Sequence, residues 1–114
     1  MPFERAEEAR SRMGWSPAEM SEYLGVSRAV YRARRQRGRL RGAESVKVEF
    51  LEFLLEAGAR VLEGEAEARV WLLRPERGLG GVRPVDHLTS IKGYEDVRNI
   101  LMRVEHGSSS KRLF

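Results

Sequence analysis

Apolar positions along this 114-residue chain recur at spacings of three and four, and no segment alternates convincingly as a half-buried strand does. Glycine and proline punctuate the helical pattern. "PFERAEEARSRM" predicts a first helix that ends near Gly14. "SPAEMSEYL" opens a second with a strong start signal. Ser16 can cap, Pro17 suits the first helical position, and Glu19 stands three after the cap as in a capping box. Gly25 permits a sharp turn. Ser27 can then cap a third helix, Arg28 to Arg37, which Gly38 ends.

A long amphipathic helix is expected from Glu44 to Glu63, with Val46, Phe50, Phe53, Leu54, Ala57 and Val61 on one face and Gly64 as its stop. "EAEARVWLL" predicts a short helix ending before Pro75. "RPERGLGGVRPVDHL" reads as a loop with a short helical piece after Pro84. "GYEDVRNILMRVE" forms a last helix, with Val97, Leu101 and Val104 on a stripe, Ile100 beside it, and Gly107 as its cap. The expected fold class is all-α. Three regions are expected: 1–42, 43–107 and a flexible tail, 108–114.

Charge divides the chain unevenly. Residues 1–42 carry a net +5, residues 43–107 a net −3, and the tail +2. A basic third beside a mildly acidic remainder implies two surfaces with two kinds of partner. The basic part concentrates in "LGVSRAVYRARRQRGRLR", Leu24 to Arg41, which holds seven arginines and no acidic residue. Like charge at that density is unfavourable on a bare helix.

Two short helices joined by a tight glycine turn are the pattern of a helix-turn-helix. Met20, Leu24 and Val26 would hold the pair together, with Tyr31 packing from the second helix. Ser27, Arg28, Arg32, Arg35 and Gln36 would then point outward. Arginine and glutamine carry the paired donors and acceptors that match guanine and adenine edges. Arg34, Arg37, Arg39 and Arg41 would reach phosphates, and each such contact would steepen the salt dependence of binding. At Ser21 this pattern often has alanine, and at Arg34 an apolar residue.

Other chemistry is largely excluded. The chain has no cysteine, so disulfides, thiolate zinc sites and a cysteine nucleophile are absent. "GLGG" at 78–81 follows no strand and precedes no Gly-Lys-Ser/Thr, so it reads as a turn rather than a phosphate loop. His87 and His106 are too far apart for a helical metal pair. His106 beside three serines lies at a helix end and tail that would hold no catalytic geometry. No enzyme activity and no cofactor are expected. The N-terminus is charged from Glu4 with no apolar block, and the apolar runs are too short to span a bilayer, so a cytoplasmic protein without membrane contact is expected. Trp71 reads first as core and second as an anchor for a partner.

The stretch "EARVWLLRPERGLGGVRPVDHLTSIKGYEDVRNILMRVEHG" resembles the C-terminal toxin-binding region of Xre/MbcA/ParS-type antitoxins. Trp71-Leu72, Pro75, Leu79-Gly80, Pro84 to Leu88, Gly93, Val97, Leu101, Arg103 and Gly107 carry the resemblance, and His87 stands where the family often has leucine. With the helix-turn-helix and linking helix, it covers about residues 16–107. The resemblance implies a partner, a RES-domain toxin that consumes NAD or modifies proteins with ADP-ribose. It also implies neutralisation by direct binding and repression of the chain's own operon. Trp71 and Arg103 are then candidate toxin contacts. The end of the chain can reach toward the toxin's active site in this family, which adds Lys111, Arg112, Leu113 and Phe114.

Two other functions fit the same residues. One is a free-standing regulator whose C-terminal part only dimerises. The other is an interaction module whose arginine face binds acidic protein or RNA. A DNA-binding form is expected to be a homodimer or a higher even assembly, because one recognition helix contacts only a few base pairs and paired half-sites add specificity. The long helix, or the helices near it, would supply the contact.

Overall fold

A computed structural model describes the backbone of residues 1–112 and the side chains of residues 1–104. Among the described residues there are six α-helices and no strand, so the all-α expectation holds. The helices are α1 (Phe3–Met13), α2 (Pro17–Leu24), α3 (Arg28–Arg37), α4 (Gly42–Leu62), α5 (Glu65–Leu72) and α6 (Ile91–Arg112), with single 3-10 turns at Arg77–Leu79 and Pro84–His87. The chain divides into two compact units, Met1–Glu52 and Phe53–Phe114.

In the first unit the helix ends are set by local chemistry. Ser16 and Glu19 form a full capping box at the start of α2, with Pro17 in its first turn. Gly25 ends α2 at φ 75, where a side chain would be strained. The Ser27 hydroxyl accepts from the Val30 N–H at 3.1 Å and starts α3. Phe3, Ala6, Ala9 and Met13 bury one stripe of α1. They share the core with Met20, Leu24, Tyr31, Val48 and Leu51, whereas Val26 is only half-buried. Ser21 is buried too, and its hydroxyl is satisfied by the Ala18 carbonyl at 2.9 Å. The Tyr23 hydroxyl donates to the Lys47 carbonyl at 2.7 Å, and burial raises its pKa well beyond the ordinary tyrosine range.

Sequence pattern misses one feature of this unit. The Leu40 N–H donates to the Met1 carbonyl at 2.9 Å and the Phe3 N–H to the Gly38 carbonyl at 3.0 Å. The first three residues thus clip the turn that follows α3.

The second unit is built on the end of α4, on α5 and on the first turns of α6. Leu54, Leu55, Ala57, Ala68, Leu72, Leu88, Val97 and Leu101 are its buried centre. Gly58 lets α4 and α5 approach closely, since a Cβ there would stand 2.8 Å from the Ala68 Cβ. Three details differ from the sequence expectation. The buried face of α4 only partly matches the expected one: Leu54 and Ala57 are buried as expected, Val48, Leu51 and Leu55 are fully buried beside them, and Val46 and Phe53 are 39% and 41% exposed. The helix stops one residue early, at Glu63, which takes a left-handed φ of 69. The α6 backbone runs past Gly107 to Arg112. Glycine weakens a helix interior by about 1 kcal/mol relative to alanine and does not by itself end it.

Candidate functional site

The basic segment presents two kinds of arginine. Arg28, Arg32, Arg35 and Gln36 are exposed and lie four, three and one residues apart, so they share one face of α3. Arg28, Arg32 and Arg35 rim a shallow cavity of about 140 Å³ floored by Tyr31 and closed by Pro17 at the start of α2. Arg37, Arg39 and Arg41 are exposed at and beyond the helix end. Ser27 is exposed as well, with its hydroxyl engaged in capping.

Arg34 is different. Its side chain is 13% exposed and makes a two-pronged ion pair with Glu44, at 2.9 and 3.2 Å, whose own side chain is 8% exposed. The same Glu44 carboxylate accepts from the Arg41 N–H at 3.1 Å. An arginine in a position that is often apolar is thereby neutralised and turned into a brace between α3 and the start of α4. Its fork is already filled, which sets it apart from the exposed arginines expected to reach phosphates.

Arg35 stands between these extremes. One nitrogen lies 3.4 Å from Glu7, and its guanidinium sits 5.9 Å from the centre of the Phe3 ring, with the side chain 54% exposed. Glu7 also accepts from both Arg10 forks at 3.1 Å and from the Tyr31 hydroxyl. An exposed ion pair of this kind is worth about 0–1 kcal/mol, so Arg35 can leave Glu7 cheaply.

Both acids titrate low. Burial pushes Glu7 and Glu44 up, but hydrogen bonds from Arg10 and Tyr31, and from Arg34 and the Arg41 backbone, more than offset it. Their folded pKa values lie below the ordinary 4.5, so the stabilisation is complete above that pH and is lost as pH falls through the folded values. Thermal melts in low salt should therefore be level near neutrality and fall progressively below about pH 4.5. A melting point unchanged down to pH 3 would refute a stabilising role for these pairs.

In the second unit, Trp71 and Arg103 line different cavities. Trp71 is buried, which favours its core role, and only its edge reaches an apolar groove of about 350 Å³. The neighbouring Val70 is 55% exposed on that groove, and sequence pattern alone does not single it out. Arg103 is exposed and lines a polar cleft of about 360 Å³ with His87, Asp96 and Asn99. There His87 Nε2 lies 3.1 Å from Asp96, which Lys92 also engages, and hydrogen bonds from Lys92 and His87 lower the Asp96 pKa. Among the described residues no cluster of His, Asp or Glu could hold a metal ion. The side chains of Lys111 and Arg112, and all of Leu113 and Phe114, lie outside the described residues.

Residues 57–107, which include both cavities, match the family model of the antitoxin Xre/MbcA/ParS C-terminal toxin-binding domain. The chain is also 29% identical over 98 residues to a protein named Antitoxin Xre from Photorhabdus laumondii subsp. laumondii. Both are likenesses to antitoxins. The alignment takes in 82% of this chain and 66% of that antitoxin's length. Trp71 and Arg103 both fall inside the toxin-binding domain match, whereas the arginine face of α3 lies outside it. Among the described residues no helix is long and apolar enough to cross a membrane.

Proposed function

We propose that this chain is a cytoplasmic antitoxin without enzyme activity. In this reading its second unit binds and silences a RES-domain toxin, and its first unit binds operator DNA as a helix-turn-helix and represses the operon. The observation that carries the toxin half is the domain match over residues 57–107. The DNA half rests on α2, the Gly25 turn and α3, with Arg28, Arg32, Arg35 and Gln36 on one exposed face. The DNA-binding form is a homodimer, which pairs two recognition helices on two half-sites.

Co-expression with the product of the adjacent gene tests the first half. The expected result is a complex in which that protein's NAD consumption is suppressed. A neighbour that is no RES-domain protein and does not bind favours a free-standing regulator instead.

Promoter binding compared with random duplex at the same salt tests the second half. Arg28→Ala and Arg32→Ala should each weaken specific binding by about 1–3 kcal/mol. Arg39→Ala or Arg41→Ala should weaken both duplexes alike, as loss of a phosphate contact does. Equal loss on both duplexes for Arg28→Ala would demote it to a phosphate contact.

If Lys111 to Phe114 enter the toxin's active site, a chain lacking 109–114 still binds DNA but neutralises poorly.

A further inference from the structure

α5 exposes an apolar stripe with opposite charges at its two ends. Ala66, Glu67, Val70 and Arg74 are all exposed, and their spacing puts them on one side of the helix and its exit. Leu62 and the edge of Trp71 complete the groove they line. Glu67 stands three residues before Val70, with its carboxylate lying close to Gly64 at the start of the helix, and Arg74 stands four residues after Val70.

That arrangement is self-complementary. If a second copy of α5 lies antiparallel across a two-fold axis at Val70, the two valines meet at the axis. Glu67 of each copy then faces Arg74 of the other. An isologous contact needs this reciprocity, since the same patch must serve both partners. Ala66 is small enough to let the two helices approach closely. We infer that the occupant of this groove is a second copy of this chain, seated by Val70 and oriented by reciprocal Glu67–Arg74 pairs. The inference rests on the homodimer reading above and names its surface.

One short helix face buries less than the roughly 1,000 Å² expected of a stable interface. A contact this small makes a dimer that is weak on its own.

The test is a charge swap in the full chain, read by sedimentation across micromolar concentrations. Glu67→Arg alone and Arg74→Glu alone each set like charges against each other and should raise the dissociation constant at least tenfold. The double variant restores the pairing and should return it to near the parent value. Circular dichroism checks that the helices are intact. An independent arm uses the absence of cysteine: Val70→Cys should form a disulfide-linked dimer on mild oxidation with diamide.

A parent protein that is monomeric at every concentration overturns both the homodimer reading and this surface. A parent dimer that survives both single swaps, with Val70→Cys left uncrosslinked, overturns the surface alone. Disruption by the single swaps without rescue by the double also overturns reciprocal pairing and leaves the groove to the toxin.

Discussion

Glu44→Ala will cost the first unit about 3 kcal/mol, a large share of a small unit's stability. Two groups lose their partner at once. Arg34 keeps its charge in a site where its side chain is 13% exposed, with no carboxylate to answer it. The Arg41 N–H at the start of α4 loses its acceptor. The brace between α3 and α4 is gone. Removing one member of a buried pair is costly because of the charge left behind, whereas replacing both by apolar groups can be neutral. The double variant Glu44→Leu with Arg34→Met should therefore recover most of the loss. Each unit carries one tryptophan, Trp15 or Trp71. In a Trp71→Phe background, Trp15 reports urea unfolding of the first unit through its contact with Tyr23, ring centres 5.4 Å apart. A Glu44→Ala midpoint equal to the parent's would show that the pair contributes nothing.

The same pair marks the limit of what sequence pattern can reveal. Ser16, Pro17, Glu19, Gly25, Ser27 and Gly38 are legible because a cap is made by residues within one turn of each other. Arg34 and Glu44 are ten residues apart, and Arg35 and Glu7 twenty-eight. The stretch Leu24–Arg41 does lack acids, but the fold supplies them from outside it. The broader buried face of α4 has another cause. Phe50, Leu51, Phe53, Leu54 and Leu55 make the middle of that helix apolar nearly all round, so two stripes fit the periodicity. Packing buries Val48, Leu51 and Leu55 together with Leu54, and leaves Phe53 41% exposed. On α5, Val70 falls beside Trp71, and period alone cannot tell which of two adjacent apolar residues turns outward.

Gly93→Ala will destabilise the second unit although it places a better helix former in α6. Helix propensity favours alanine by about 1 kcal/mol. The site forbids it: a Cβ at Gly93 would stand 1.9 Å from the His87 carbonyl oxygen, with the Ser90 hydroxyl at 3.4 Å. That oxygen belongs to the backbone of the Pro84–His87 turn, so no side-chain rotation relieves the clash. The Gly93 N–H is also held by the Ser90 hydroxyl at 3.0 Å, which fixes the first turn of α6 in place. The turn and the helix must part by more than an ångström. Strain of that kind costs about 3 kcal/mol or more, against the gain of about 1, for a net loss of about 2 kcal/mol. Gly58→Ala is the comparison in the same unit, because there the overlap is milder, with the Ala68 methyl at 2.8 Å rather than an oxygen at 1.9 Å. It should lose less. With Trp15 replaced by phenylalanine, the fluorescence of buried Trp71 follows this unit through urea unfolding. The expected order of midpoints is parent, then Gly58→Ala, then Gly93→Ala. A Gly93→Ala midpoint at or above the parent's would mean that the turn at Pro84–His87 yields freely, and that the approach of His87 to α6 places no constraint on the cleft beside Arg103.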